Sequence, residues 1–218
     1  MTGNSRPVYS QQTGISEQLP TLVRKHLDTL YRKPLQPFSL KLFEQLQRIV
    51  IDLKMPIILD SGCGNGDSSR QLAIKFPDCL VIGLDKSQHR LNKHLRGKLL
   101  YQQDNLLLAR ADLVDTWRQV ATADWHVEQH FLLYPNPWPR PDQVKRRWHG
   151  HPVFPALLAI PGRIELRTNW KIYAEEFKQA LTFAGRKAII EQVTPTACIS
   201  PFERKYQASN HSLYRLTT

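Results

Sequence analysis

Beyond Pro56 the chain alternates short apolar runs with segments of helical periodicity. The runs Ile57–Asp60, Cys79–Asp85, Leu99–Gln103, Val127–Tyr134, Arg163–Thr168 and Lys187–Val193 predict strands, with a weaker last one at Leu213–Leu216. Helices are expected over Ser68–Phe76, Ser87–Leu95, Leu106–Val120, Phe154–Ala159 and Ile172–Phe183. Strands alternating with helices imply an α/β fold, with a mostly parallel sheet and helices on both faces. Ahead of this region, Leu19, Leu22, Val23, Leu27 and Leu30 recur at helical spacing, as do Leu42, Phe43, Leu46, Ile49 and Val50. The pattern predicts an extension over 1–52 carrying two amphipathic helices, followed by one domain over 53–218. Residues 1–16 are polar and aperiodic, so they are expected to be mobile.

Composition narrows the function class. At 218 residues, 41% hydrophobic and 22% charged, the chain is an ordinary globular sequence. No apolar run is long enough to span a bilayer, and the N-terminus lacks the apolar core of a signal peptide, so a cytoplasmic protein with no membrane partner is expected. Cys63, Cys79 and Cys198 form no metal-ligand or disulfide pattern, and His149 and His151 lack a third ligand, so no metal is expected. Thirty Lys and Arg against 19 Asp and Glu give a net charge of +11, which favours a polyanionic partner, with nucleic acid first among them.

The chemistry centres on Asp60-Ser61-Gly62-Cys63-Gly64-Asn65-Gly66, a strand end running into alternate glycines and then a helix. Glycine there permits positive φ and close approach of backbone to a ligand. Asp85 ends the second strand about twenty positions further on, the spacing at which a ribose diol is held. Asp104 and Asn105 follow the expected third strand. Three carboxylates at three adjacent strand ends would line one crevice and suit a cofactor with hydroxyls, an amine and a cationic centre. S-adenosylmethionine fits that description better than a dinucleotide, whose turn has a Gly-x-Gly-x-x-Gly spacing.

The other unusual stretch is Tyr134-Pro135-Asn136-Pro137-Trp138-Pro139-Arg140, with Lys145-Arg146-Arg147-Trp148 after it. Alternate prolines stop a strand and stiffen a loop. Such a loop can carry Asn136 and Trp138 to the reacting end of a cofactor, while Arg140, Lys145, Arg146 and Arg147 hold phosphates. Arg24, Lys25, Arg32 and Lys33 could add to this basic surface.

These stretches, with Thr168-Asn169-Trp170 ahead of Tyr173 and Ser200-Pro201-Phe202-Glu203-Arg204-Lys205, resemble the tRNA (guanine-N7) methyltransferase family over residues 57–207. The resemblance implies a Rossmann-like class I S-adenosylmethionine-dependent methyltransferase fold and tRNA or another structured RNA as partner, acting as a monomer or weak homodimer. It implies cofactor binding at Asp60, Gly62, Gly64, Gly66, Asp85, Asp104 and Asn105, and catalytic positions at Asn136 and Trp138. Substrate binding is implied at Arg140, Lys145, Arg146, Arg147, Thr168, Asn169, Ser200 and Glu203. The family places aspartates where this sequence has Asn136 and Asn169, a threonine at Ser200 and a histidine at Gln143. An amide accepts a hydrogen bond without bringing charge. The alternatives are a class I methyltransferase with a non-RNA substrate, a catalytically weakened RNA-binding paralogue and, last, a nicotinamide-dependent oxidoreductase.

Overall fold

The structure, a computed structural model, describes residues 3–218. It divides into two compact units, one made of 32–131 with 156–163 and the other of 3–31, 132–155 and 164–218. Helix α1 (Leu19–Asp28) belongs to the second and α2 (Pro37–Leu53) to the first, so the two N-terminal amphipathic helices fall in different units.

In the first unit, β1 (Ile57–Ser61) pairs in parallel with β2 (Leu80–Asp85) on one side and β5 (Val127–Leu133) on the other. Strand β2 pairs in parallel with β4 (Leu106–Arg110), and β3 (Leu100–Gln103) closes the edge antiparallel to β4. Strands β1 and β2 are buried along their whole length, as their unbroken Ile/Leu/Val runs require when helices cover both faces. Helix α3 (Asp67–Lys75) follows the glycine turn, α4 (Gln88–Leu95) follows β2, α5 (Leu113–Val120) follows β4, and α6 (Phe154–Ala159) lies largely in the unit's second segment. Gly162, at φ 87°, is dictated by backbone, since a Cβ there would lie 2.4 Å from Val127 O, and two further glycines sit against side chains that a Cβ would displace. A Cβ on Gly83 would lie 2.2 Å from Ser69 Oγ, and one on Gly66 would lie 2.7 Å from Leu108 Cδ1. Helix α2 is anchored by Phe43 stacked on Trp125 at 5.3 Å and by Trp125 Nε1 donating to Gln47 Oε1 at 2.6 Å.

The reading of 99–120 as one strand and one long helix is corrected here. The chain makes a β3–β4 hairpin and only then α5. The apolar run Leu106–Ala109 is a fully buried strand, a case that periodicity does not separate from buried helix. The hairpin turns at Asp104-Asn105, where Asp104 takes a left-handed φ of 50°.

In the second unit, β8 (Leu213–Thr217) lies between β6 (Arg163–Thr168) and β7 (Ile189–Val193), antiparallel to both. Helix α7 (Lys171–Phe183) follows β6, and α8 (Pro201–Ala208), which the sequence pattern did not announce, is capped by Ser200. Two short 3₁₀ turns, Pro141–Arg146 and Trp148–Gly150, carry the basic run. Of the residues expected to be mobile, 3–16 are instead tied down at intervals. Gly3 N donates to Ala208 O at 2.7 Å, and Gln12 Nε2 and Ser16 N both donate to Glu176 Oε1, at 2.6 and 2.9 Å. A polar, aperiodic segment is held here because it satisfies a buried carboxylate.

Candidate functional site

The glycine turn builds a polar cradle. Gly62, Gly64 and Gly66 take φ of 85°, 62° and 85°, and a Cβ added at Gly62 or Gly64 would meet nothing within 4 Å. The turn is held by Gly62 N and Cys63 N donating to Leu84 O, and by Gly64 N donating to Asp85 Oδ2 at 2.9 Å. Asp85 Oδ1 accepts from Ser87 N at 2.8 Å, which fixes the carboxylate at the end of β2.

Asp60 lies beneath this turn, 1% exposed. Its Oδ2 accepts from Ser68 Oγ at 2.6 Å and Ser69 Oγ at 2.7 Å, while Oδ1 is buried with no partner. Burial pushes its carboxyl up to about 6, against the pull of the two serine hydroxyls. A buried carboxylate oxygen left unpaired next to open backbone is a place for a cationic ligand group, because leaving such an oxygen unmatched is costly. Behind it, Ser61 Oγ accepts from Trp117 Nε1 at 2.9 Å and meets His130 Nε2 at 2.8 Å. Burial holds His130 down at about 3, so this support is neutral at physiological pH.

The first unit also shows which strand-end carboxylates share an edge. Asp60 and Asp85 end β1 and β2. Asp104 and Asn105 sit at the opposite edge, in the hairpin turn that precedes β4, so the structure does not bring these two expected cofactor residues to the glycine turn. Asn105 has a structural task there, its Nδ2 donating to the carbonyls of Ala73, Phe76 and Cys79 at 3.0–3.1 Å. The carboxylate at the carboxyl end of the third parallel strand is Asp112. Its Oδ1 caps α5 through Val114 N at 3.0 Å and its Oδ2 pairs with Lys86 Nζ at 2.9 Å. Partial burial alone would raise Asp112, but the Lys86 ammonium and the helix amide hold it below the ordinary carboxylate range. A cavity of about 380 Å³ opens there, among Lys33, Phe38, Lys86, Arg110, Ala111 and Asp112.

The second unit holds the proline-rich loop. Asn136 is exposed and its Oδ1 accepts from Trp138 N at 3.3 Å. Tyr134 and Trp138 both take left-handed φ, 52° and 45°, an unusual conformation for bulky residues that needs support from around it. Arg147 supplies that support. Its Nε and one terminal nitrogen donate to Trp138 O at 3.2 and 3.0 Å, and it also reaches Arg140 O and Gln12 Oε1. The Arg147 side chain is fully buried against Glu176, so the expectation that it binds phosphate is corrected. Lys145, Arg146 and Arg140 are exposed, and the Arg146 guanidinium lies 4.9 Å from the Trp138 ring centre. Burial would raise Glu176, but contacts from His149 and Arg147 bring it down to about 2.

The remaining expected substrate residues are mostly occupied. Ser200 Oγ accepts from Glu203 N at 3.1 Å, and Thr168 Oγ1 accepts from Trp170 N at 3.1 Å. Glu203 is fully buried, accepting from Tyr134 Oη at 2.9 Å, Arg167 at 2.7 Å and Ile199 N at 2.8 Å. Asn169 Nδ2 lies 3.1 Å from His211 Nδ1. Thr168, Ser200 and Glu203 therefore shape the unit around the loop more than they present free groups. Sequence reading missed Glu176, Arg167 and His130; two-carboxylate bracketing of an arginine is invisible along the chain.

A protein-family profile described as "Putative methyltransferase" matches residues 54–216. The chain belongs to this methyltransferase family. It is 25% identical over 194 residues to a tRNA (guanine-N(7)-)-methyltransferase of Pseudomonas aeruginosa, covering 82% of this chain and 78% of that one. It is 28% identical over 169 residues to one from Saccharophagus degradans, covering 73% of each. Solved structures with the same fold include an antibiotic-related methyltransferase (TM-score 0.56, 15% identity, 89% of this chain and 98% of that one). Another is the 16S rRNA methyltransferase KamB (TM-score 0.56, 18% identity, 85% and 94%). The fold is thus the Rossmann-like class I methyltransferase fold that the family resemblance implied. The chain is a methyltransferase, and S-adenosylmethionine is its methyl donor. The free Asp60 oxygen and the open glycine backbone fit that cofactor.

Proposed function

We propose that this methyltransferase acts on RNA, with guanine N7 of tRNA as its acceptor. The observation that carries the reading is the exposed Arg140, Lys145 and Arg146 around Trp138, on a loop whose backbone is fixed by a buried arginine. Such a surface fits phosphates and base faces together, and the curated relatives above are named as tRNA enzymes. A tRNA substrate makes the cytoplasm the place of action. Among the described residues no helix is long and apolar enough to cross a membrane.

When bound, S-adenosylmethionine supplies an electrophilic methyl group on a sulfonium centre. Asp60 Oδ1 would take the cofactor's ammonium group, Asp85 its ribose hydroxyls, and Asp112 its exocyclic amine. Guanine N7 carries an in-plane lone pair, so the protein need not remove a proton before transfer. Its task is alignment, together with an environment suited to positive charge arriving on the purine. Asn136 Oδ1 can accept from a base edge but adds no negative charge. The test is mass spectrometry of nucleosides from total tRNA after incubation with the protein and labelled S-adenosylmethionine. Label in 7-methylguanosine is expected, and label confined to protein or small molecules would overturn the reading.

The amides at 136 and 169 favour a second reading, an RNA-binding relative with weakened transfer. It predicts salt-sensitive RNA binding with no label in any nucleoside.

A further inference from the structure

Residues 3–18 form a strap without regular structure, yet they are bonded at intervals to the second unit. Ser5 N donates to Ser209 Oγ at 3.1 Å and Ser5 O lies 3.1 Å from His211 Nε2. Ser10 Oγ donates to Pro139 O, inside the proline-rich loop. Gln12 then ties into Glu176 and its partner Arg147, and Arg147 also donates to the carbonyls of Trp138 and Arg140. The strap and the loop are therefore held by one buried cluster.

Tyr9 sits one residue before the Pro139 contact and is 84% exposed, the most exposed large hydrophobic residue among those described. A solitary exposed aromatic needs no explanation. This one is different because the segment carrying it is anchored before it at Ser5 and just after it at the Ser10 side chain, and because of the loop that Ser10 meets. The Trp138 ring already carries the Arg146 guanidinium at 4.9 Å, and Arg140 and Lys145 are exposed nearby in sequence. An exposed aromatic on a segment bonded to a cation-bearing loop offers single-stranded nucleic acid a stacking face, and an anchored segment lowers the entropy cost of using it.

We propose that Tyr9 is a base-stacking residue, onto which the strap receives an unpaired base of the RNA next to the proline-rich loop. The proposal rests on the RNA reading above. Stacking tolerates any base, so Tyr9 holds the strand and leaves the choice of acceptor to other residues.

The experiment measures binding of total tRNA by the full chain, saturated with S-adenosylhomocysteine, over a series of salt concentrations. Tyr9→Ala is expected to weaken binding about 5- to 150-fold, the ~1–3 kcal/mol of one stacked base at about 1.4 kcal/mol per tenfold. The salt slope should stay as in the parent, because no phosphate contact is lost. Tyr9→Phe, which keeps the ring, should restore binding. Melting temperature serves as the fold control, since an exposed ring contributes little to packing. If Tyr9→Ala binds as tightly as the parent while Lys145→Ala and Arg146→Ala bind more weakly, the stacking role is overturned and the RNA reading stands. If the parent binds no RNA at all, both fall.

Discussion

The Arg147 guanidinium and the Glu176 carboxylate meet at 2.5 Å with neither side chain reaching solvent. Removing one partner leaves a charge buried and unpaired, at a cost of about 3–5 kcal/mol. Arg147→Ala should therefore lower the melting temperature by roughly 6–20 °C at the scale for a chain of this size. A scanning calorimetry shift within a degree or two of the parent would show that the pair is dispensable. The same pair sets an acid limit. Glu176 is depressed to about 2 from an ordinary 4.5, so its contribution is fully present above about 4.5 and is lost as pH falls towards 2. Glu176→Gln should flatten that part of the acid-unfolding curve.

The neighbours of Arg147 in the basic run behave differently. Lys145 and Arg146 are exposed, and in the proposed RNA complex each phosphate contact would add about one unit to the salt slope of binding. Lys145→Ala and Arg146→Ala should each reduce the slope of log affinity against log salt by about 0.7–0.9. Equal slopes in parent and variants would remove both residues from the RNA surface.

That contrast shows how far the sequence could be read. The β1–glycine turn–α3 unit was legible because its signal is local: an apolar run, alternate glycines, then helix. Lys145-Arg146-Arg147 looked uniform along the chain, yet the turn of the backbone sends one of the three inwards to a glutamate 29 positions away. No spacing rule marks that partner. Asp104 misled for a related reason. The buried run Leu106–Ala109 reads equally as strand or as the start of a helix, and its being a strand antiparallel to β3 puts Asp104 in a turn at the opposite ends of the parallel strands.

Asp60 gives a pH prediction. Its carboxyl is raised to about 6 from an ordinary 3.8, so the folded state holds the proton more tightly than the unfolded chain. Its contribution to stability is therefore greatest below about 3.8 and fades as pH rises through about 6. Cofactor binding should follow the opposite trend, since an ammonium group needs the ionised form. Affinity for S-adenosylhomocysteine, which keeps that ammonium, should fall about tenfold per pH unit below about 6. In Asp60→Asn it should be weak and flat across the same range. Calorimetric titrations at pH 5 and 7 with equal parent affinities would remove Asp60 from the cofactor site.

The strand correction separates two aspartates. Asp104 occupies the hairpin turn, whereas Asp112 lies beyond β4 beside Lys86. Asp104→Asn should leave affinity for S-adenosylhomocysteine within about twofold. Asp112→Asn, which can keep the helix cap, should weaken it about tenfold, in line with ~1.5 kcal/mol for a hydrogen bond to a charged group. The reverse order of effects would restore Asp104 to the site.

Asn136 carries the proposed chemistry to a test. Its Oδ1 accepts from Trp138 N at 3.3 Å, a bond that an aspartate oxygen could make equally well, so Asn136→Asp should preserve the loop. Under the proposed N7 reading, with Asn136 facing the acceptor, the substitution adds negative charge towards a purine that becomes cationic during transfer. Favourable charge placed in advance lowers such a barrier, by about 1.4 kcal/mol for each tenfold in rate. Single-turnover transfer of labelled methyl into tRNA guanosine should accordingly be faster in Asn136→Asp than in the parent, with RNA affinity little changed. A variant no faster than the parent would place the limit on transfer elsewhere. A loss of transfer, with methylation in the parent falling on a different nucleoside, would mean that the amide selects an acceptor the carboxylate repels.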